Sequence, residues 1–207
     1  MTRVGEPTVE EGRKWPRMTY EEYLDAPGVD ENTEWVDGEV VPMMSVSPEH
    51  ARLTKWLTVV FTVCLEQRGH GEVFNEPFNM KTGPDLPGRS PDLIFVRTEN
   101  LGRITNKNLE GPADLVVEVI SPGTEGIDRG DKYYEYERGG VPEYWLLDPH
   151  RQVADFFVRD ARGYYRPQLP DADGVFRSAT VDGFWLKVSW LWERPPLRVV
   201  EAELGLG

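Results

Sequence analysis

The chain has 207 residues, of which 39% are hydrophobic and 29% are charged, and its formal net charge at pH 7 is −13. No apolar run approaches the ~18 residues of a membrane-spanning helix, no secretory signal pattern opens the chain, and the single cysteine excludes an internal disulfide. We therefore expect a cytoplasmic protein with no membrane partner, whose acidity opposes broad contact with nucleic acid.

The first forty residues are strongly acidic, with eleven acidic and four basic side chains. Residues 1–17 are polar and show no periodicity, so we predict a flexible N-terminal tail. Thr19 and Glu22 have the spacing of a capping box, which predicts a short helix that begins at Tyr20. The pair Asp37-Gly38 stands between two short apolar runs, a pattern typical of a β-hairpin.

The longest predicted helix begins after Ser47, a favourable N-cap residue that is followed by Pro48 at the first helical position. Apolar side chains then recur at helical spacing, at Leu53, Trp56, Leu57, Val60, Phe61 and Cys64. This stripe predicts one buried face and an end near Arg68-Gly69. Cys64 is accordingly interpreted as a small buried hydrophobe and not as a nucleophile.

Two later apolar runs, residues 90–96 and 115–120, each carry an acidic residue. The second run is rich in β-branched residues, and both runs are predicted to be strands. Asp92 lies near the start of the first run, and Glu118 lies in the middle of the second. Burying an unpaired carboxylate costs several kcal/mol or raises its pKa. Glu118 therefore requires a cation, a metal or a proton beside it.

The second of these strands is followed by a predicted helix that begins at Asp128 and closes at Gly139-Gly140. Asp128, Lys132 and Tyr136 are spaced i, i+4, i+8 and share one face of this helix. The strand thus supplies a carboxylate, and the helix can supply an ammonium group.

The remaining elements follow from shorter patterns. We predict a strand over 72–80, a loop over 83–91, a polar connection over 97–110, strands over 143–147, 153–158 and 163–166, one or two strands within 174–188, and an apolar patch at 190–192. The order of elements predicts an α/β (α+β) fold with a mixed sheet. We expect a single domain over 18–194 and a C-terminal extension over 195–207.

Several short motifs, taken together in this order, resemble those of the Uma-type putative restriction endonucleases, within the PD-(D/E)XK nuclease superfamily. The motifs are EWVDGE at 34–39, His50, SPDL at 90–93, GPADLVVEVISP at 111–122, DRGDK at 128–132 and VPEYWLLDP at 141–149. The resemblance covers roughly residues 18–192. It implies a restriction-endonuclease-like fold, in which a mixed β-sheet core is flanked by helices and extended by antiparallel strands.

The resemblance also implies a reaction and a set of site residues. The reaction is divalent-metal-dependent hydrolysis of DNA, with Asp92, Glu118 and the backbone carbonyl of Val119 as ligands of Mg²⁺ or Mn²⁺. The superfamily lysine usually follows the strand glutamate by two residues, where this chain has Ile120. The Uma-type pattern instead points to Lys132, which would orient water or stabilise the transition state.

Three further residues are predicted to support this site. Glu34 could complete a second metal site, His50 could transfer a proton or contact phosphate, and Asp128 could position Lys132. Each of these residues, like the three main ones, also has a structural interpretation: a turn cap at Asp92, an ion pair of Glu118 with Lys132 or Arg129, a helix cap at Asp128. The sequence leaves these alternatives open.

Two other functions remain open at this stage. The chain could be a non-catalytic binding or assembly module, which its acidity favours, or a metal-dependent hydrolase of another phosphoester. A homodimer would suit cleavage of both strands of a duplex, and Trp145, Trp190 and Trp192 are candidates for an apolar contact between copies.

Overall fold

A computed structural model of the chain describes residues 15–27, 29, 32–121 and 125–206. Most of the predicted tail, residues 1–14, lies outside the described residues, as does Pro122, the last residue of the motif at 111–122. The division into tail, domain and C-terminal extension stays a prediction.

The helices of the described residues are short apart from one of 17 residues. The α-helices are α1 Tyr20–Asp25, α2 Pro48–Cys64, α3 Tyr133–Gly139, α4 Trp190–Glu193 and α5 Leu197–Glu203. Short 3₁₀ turns occupy Glu66–Arg68 and Thr98–Arg103, and a π-helical segment, Ile127–Lys132, leads directly into α3. None of the helices in the described ranges has the length and apolar character that crossing a membrane requires.

Thirteen strands are present in the described residues, and they form three sheets. The strands are β1 Thr33–Val36, β2 Glu39–Pro42, β3 Gly71–Asn75, β4 Asn79–Lys81, β5 Gly88–Arg89, β6 Leu93–Arg97, β7 Asn108–Glu110, β8 Leu115–Val119, β9 Glu143–Asp148, β10 Val153–Arg159, β11 Tyr165–Pro167, β12 Val175–Arg177 and β13 Trp185–Lys187. The largest sheet has the order β11-β10-β9-β8-β6-β3, the second has the order β2-β1-β5-β4-β7, and β12 pairs with β13. The first two sheets are mixed, because β8 is parallel to β9 and β4 is parallel to β7.

Local sequence signals account for the boundaries of the early elements. The Thr19 hydroxyl accepts a hydrogen bond from the backbone N–H of Glu22, and the Glu22 carboxylate accepts one from the N–H of Thr19, so both halves of the predicted capping box form. Asp37 and Gly38 both have positive φ, as the tight turn between β1 and β2 requires. The Ser47 hydroxyl caps α2 as predicted.

The large sheet buries both of its faces, and the side chains of β8 alternate between two cores. Leu115, Val117 and Val119 belong to the core beneath α2, which receives the predicted helical stripe. Val116 and Ile120 belong to the opposite core beneath α3. Cys64 is buried, as predicted, and burial raises the pKa of its thiol to about 11.

Several predicted elements are divided or extended in the structure. The single strand expected over 72–80 is two strands in different sheets, because the chain turns at Pro77, which has no N–H to donate to a ladder. The expected loop over 83–91 contains β5, and the polar connection over 97–110 contains a 3₁₀ turn and β7. These strands are too short to leave a periodic pattern in the sequence.

Two expectations for the C-terminal half also need correction, and one helix was not predicted. The helix that was expected to begin at Asp128 is already helical at Glu125, so Asp128 lies inside a turn and is not an N-cap. Trp145 and Trp190 are core residues and offer no exposed surface for contact between copies. Helix α5, which the sequence reading did not predict, packs Val200 into the core beneath α2.

Candidate active site

Two neighbouring strands bring Asp92 and Glu118 to the same face of the large sheet. Leu93 of β6 pairs with Val117 of β8 in antiparallel register, so position 92 lies opposite position 118. The sequence predicted a strand over 90–96 that would include Asp92. In the structure, Asp92 directly precedes Leu93, the first residue of β6. Its carboxylate accepts a hydrogen bond of 2.6 Å from the backbone N–H of Val119. This bond ties the start of one strand to the end of the other.

The Glu118 carboxylate is 2% exposed, and each of its oxygens has a partner. The hydroxyl of Tyr136 donates to Oε1 at 2.6 Å, and the ammonium group of Lys132 lies 3.0 Å from Oε2. Burial raises the pKa of Glu118 well above its usual value; the Lys132 ammonium opposes this, and the charges of nearby carboxylates add to it. Glu118 thus has the cation that its position in an apolar strand required.

Lys132 lies at the centre of a group of carboxylates and is itself 8% exposed. Besides Glu118, its Nζ lies 3.3 Å from Oδ1 of Asp128 and 3.8 Å from Oε1 of Glu34. Burial alone would lower the pKa of Lys132, but the surrounding carboxylates outweigh it and raise the pKa above its usual value. The side chain therefore carries its charge throughout the physiological range.

The π-helical segment Ile127–Lys132 brings Asp128 and Lys132 to this point. The hydroxyl of Tyr144, on the buried strand β9, donates to the backbone carbonyl of Asp128 at 3.1 Å and anchors the segment to the sheet. Widened turns of this kind occur frequently at functional sites. The prediction that Asp128, Lys132 and Tyr136 share one face is confirmed. The Lys132 ammonium contacts both Asp128 and Glu118, and the Tyr136 hydroxyl contacts Glu118 as well.

His50, in the first turn of α2, contacts the other predicted ligand. Its Nε2 lies 3.0 Å from Oδ1 of Asp92, and the residue is buried. Burial lowers the pKa of the imidazole, but the hydrogen bond to Asp92 and the charge of that carboxylate outweigh it, so the pKa is raised. Its Nδ1 has no hydrogen-bond partner among the described residues. This geometry favours a residue that holds Asp92 over one that reaches a phosphate.

Glu34 belongs to a second buried ion network, which the sequence reading missed. Arg89 donates to Glu34 at 2.8 Å, and its other two nitrogens bond both oxygens of Glu135 at 2.7 and 2.8 Å. Glu34 also accepts from the backbone N–H of Ser90 at 3.1 Å. Arg89 thereby joins the five-stranded sheet, which contains β1 and β5, to α3, the helix that follows Lys132. The sequence signal that could have revealed this network is Arg89 itself, a cation inside a predicted loop and three residues before Asp92.

All of the predicted site residues line one pocket: Glu34, His50, Asp92, Glu118, Val119, Asp128 and Lys132. Glu76 also lines it, which gives five carboxyl groups against the two permanent cations, Arg89 and Lys132. Burial raises the pKa of Glu76, and the charge of Asp92 acts in the same direction. Carboxyl groups outnumber the permanent cations among these lining residues, and a further cation would favour their charged forms.

The donor set is chemically suited to Mg²⁺ or Mn²⁺. Across the described ranges, no three His, Cys, Asp or Glu side chains are grouped so as to hold a metal ion. Mg²⁺, however, is usually bound by one or two carboxylates and keeps several waters. The oxygens of Asp92 and Glu118 are hard ligands, and each oxygen that has one partner here keeps a further lone pair. These two carboxylates therefore fit such an ion without a third acidic ligand.

A protein-family model matches most of the chain. The Uma2 family, described as "Putative restriction endonuclease", matches residues 20–189. The chain belongs to this family. The match includes every predicted site residue, and it confirms the resemblance that the sequence motifs carried.

Individual relatives agree with the family match. Two proteins of Synechocystis sp. (strain ATCC 27184 / PCC 6803 / Kazusa) are similar to the chain. "Uncharacterized protein slr1290" is 29% identical over 134 residues, which are 64% of this chain and 69% of that protein. "Uncharacterized protein sll1609" is 24% identical over 119 residues, which are 57% of this chain and 67% of that protein.

A solved structure shares the fold. It is a crystal structure described as "a putative nuclease belonging to DUF820" from Anabaena variabilis ATCC 29413, with a TM-score of 0.69 and 16% sequence identity. The similarity covers 85% of this chain and 98% of that one. The predicted fold, a restriction-endonuclease-like mixed sheet flanked by helices, is confirmed.

Proposed function

We propose that this member of the Uma2 family is a divalent-metal-dependent endonuclease that hydrolyses DNA phosphodiester bonds. The observation that carries the proposal is the convergence of Asp92, Glu118 and Lys132 in one acidic pocket at the edge of two central strands. These residues supply two hard carboxylates and one ammonium group, the combination that phosphodiester hydrolysis needs.

The two carboxylates have defined orientations before any substrate arrives. Asp92 is held by His50 and by the N–H of Val119, and Glu118 is held by Tyr136 and Lys132. Such preorganisation lowers the reorganisation needed during reaction. Asp92, Glu118 and the Val119 carbonyl would hold Mg²⁺ or Mn²⁺. When bound, such an ion polarises a phosphoryl oxygen and lowers the pKa of a coordinated water.

Lys132 would act on the phosphoryl group and its attacking water. A charged ammonium beside Glu118 can donate hydrogen bonds to a water or to a phosphate oxygen on which negative charge develops. Asp128 and Glu34 restrain the long side chain, and Arg89 in turn restrains Glu34. The assigned roles are therefore ligands for Asp92 and Glu118, transition-state stabilisation for Lys132, and positioning for His50, Glu34 and Asp128.

Nicking of supercoiled plasmid at low salt tests this function directly. The purified protein would be incubated with Mn²⁺, Mg²⁺ or EDTA beside Asp92→Asn and Glu118→Gln. Glu72→Gln, on the exposed side of β3, is the matched control because it removes the same charge from a surface position. We expect metal-dependent nicking by the wild type and by the control, and a loss of at least about a hundredfold in both site variants.

The competing proposal, a non-catalytic module on the same fold, is favoured by one observation. The oxygens of Glu118 already have partners in Tyr136 and Lys132, as a purely structural ion pair would require. Calorimetric titration with Mg²⁺ and Mn²⁺ separates the two proposals. A site that is lost in Asp92→Asn supports the nuclease, whereas the absence of any site, together with the absence of nicking, would favour the module.

A further inference from the structure

The mouth of the pocket differs in character from its acidic interior. Four exposed apolar side chains surround it: Val41, Met44, Val46 and Ile127. We call this set the apolar rim. Three of them come from β2 and the segment that joins it to α2, and Ile127 comes from the π-helical segment. Met44 is 56% exposed and Val46 is 41% exposed. Clusters of exposed apolar side chains beside a polar cavity are typical of ligand-binding grooves.

The groups proposed to react lie below this rim. Asp92, Glu118 and Lys132 are between 2% and 8% exposed. A phosphodiester must therefore enter the pocket to reach them, with the flanking nucleotide against the rim. A duplex holds its phosphates on a stiff, regular surface and keeps its bases stacked. A single strand bends freely and has apolar base faces available for contact.

The charges around the pocket also disfavour a duplex. Proteins that bind duplex DNA neutralise several phosphates with Lys and Arg side chains. Among the described residues that line this pocket, the cations are Arg89 and Lys132, and both are buried in ion pairs with carboxylates. A single strand offers its base faces as a further contact surface beside its phosphates.

We propose that the substrate is a single-stranded or unpaired segment of DNA, with a base next to the scissile phosphate packed against the apolar rim. This inference rests on the proposed nuclease function and adds the substrate class. Methionine suits such a surface because its flexible thioether adapts to bases of different shape. The rim therefore gives contact without selecting one base.

The test compares one labelled oligonucleotide in three forms: single-stranded, annealed to its complement, and annealed to a strand that leaves a central unpaired loop. With Mn²⁺, we expect kcat/KM for the single strand and the loop to exceed that for the duplex by about tenfold or more. In Val46→Ser, we expect KM for the single strand to rise about three- to tenfold with kcat nearly unchanged. Val153→Ser is the matched control, because Val153 is 39% exposed on β10 and does not line the pocket.

Equal or faster cleavage of the duplex would overturn the inference and leave the nuclease function standing. No cleavage of any form would instead count against the nuclease function. Fluorescence anisotropy with Mn²⁺ and the uncleaved oligonucleotides then decides the inference by binding alone, with the wild-type protein beside Val46→Ser. Equal affinity for both forms, or no effect of Val46→Ser on the single strand, would refute it. A change of oligomeric state in Val46→Ser without a change in affinity would identify the rim as a contact between copies and would also refute it.

Discussion

The Nζ of Lys132 lies 3.0 Å from Oε2 of Glu118, so the π-helical segment and the central strand meet in a buried ion pair. Removing one partner of such a pair leaves an uncompensated charge, which is strongly destabilising. The pair also places an ammonium group beside a predicted metal ligand. The structural contribution of Lys132 and its proposed catalytic contribution can be separated experimentally, because they affect different measurements.

Replacing Lys132 should impair turnover and spare metal binding. In Lys132→Met, we expect kcat for plasmid nicking to fall by about a hundredfold or more, because the proposed role of the ammonium is to stabilise the transition state. The affinity for Mg²⁺ should be equal or higher, because Glu118 and Asp128 lose a competing cation. Calorimetry and single-turnover kinetics measure the two effects. Lys55→Met, on the exposed side of α2, is the control. If metal affinity falls as much as kcat in Lys132→Met, Lys132 maintains the structure of the site and does not act on the transition state.

Replacing Arg89 should destabilise the protein more than loss of a surface arginine. Arg89→Gln leaves Glu34 and Glu135 without their buried cation, so we expect the free energy of unfolding to fall by about 3–5 kcal/mol. Arg52→Gln removes an exposed pair with Glu49 and should change it by less than about 1 kcal/mol. Urea denaturation of both variants measures the difference, and equal effects would show that the buried network adds nothing to stability.

Glu143 is a fully buried carboxylate outside the candidate site, at the first position of β9 in the interior of the large sheet. Its Oε1 accepts from the indole N–H of Trp145 at 2.7 Å, and its Oε2 accepts at 2.9 Å from the Ser178 hydroxyl and from the backbone N–H groups of Ala179 and Thr180. The carboxylate therefore joins β9 to the segment between β12 and β13.

A glutamine at this position keeps the size of the side chain and loses acceptor capacity. In Glu143→Gln, an amide NH₂ group must face donors, so we expect a loss of about 1–3 kcal/mol in the free energy of unfolding. Metal affinity should be unchanged, because Glu143 does not line the pocket. Urea denaturation and calorimetry test the two statements, with Glu72→Gln as the control. A variant as stable as the control would contradict the first.

Asp148 should contribute a pH-dependent part of the stability. Burial raises the pKa of this carboxyl, but the N–H groups of Arg151 and His150 and the Arg151 guanidinium outweigh it and lower the pKa below its usual value. A lowered pKa means that the stabilisation is present above the unfolded-state pKa of about 3.9 and is lost as the pH falls through the folded-state value. The stability difference between wild type and Asp148→Asn should therefore be full near neutral pH and shrink below about pH 4. Urea denaturation across this range measures it, and a constant difference would refute the prediction.

Local sequence patterns predicted much of the fold. The capping box at Thr19, the Asp37-Gly38 turn, the Ser47 cap and the helix stripe that includes Leu53 and Leu57 all form as expected, because each depends on residues close together in the chain. Short strands such as β5 and β7 were missed. Their formation depends on pairing with β4, and no periodicity of their own marks them.

The sequence by itself determined that Glu118 must have a partner, since an apolar strand cannot bury a free carboxylate. It also determined that Asp128 and Lys132 share a helix face, because helical spacing is a local property. Only the tertiary structure decided that Tyr136 and Lys132 divide the oxygens of Glu118 and that Arg89 bridges Glu34 and Glu135. The physical reason is that these contacts join segments distant in the chain, and their geometry is fixed by how the sheets and helices pack together.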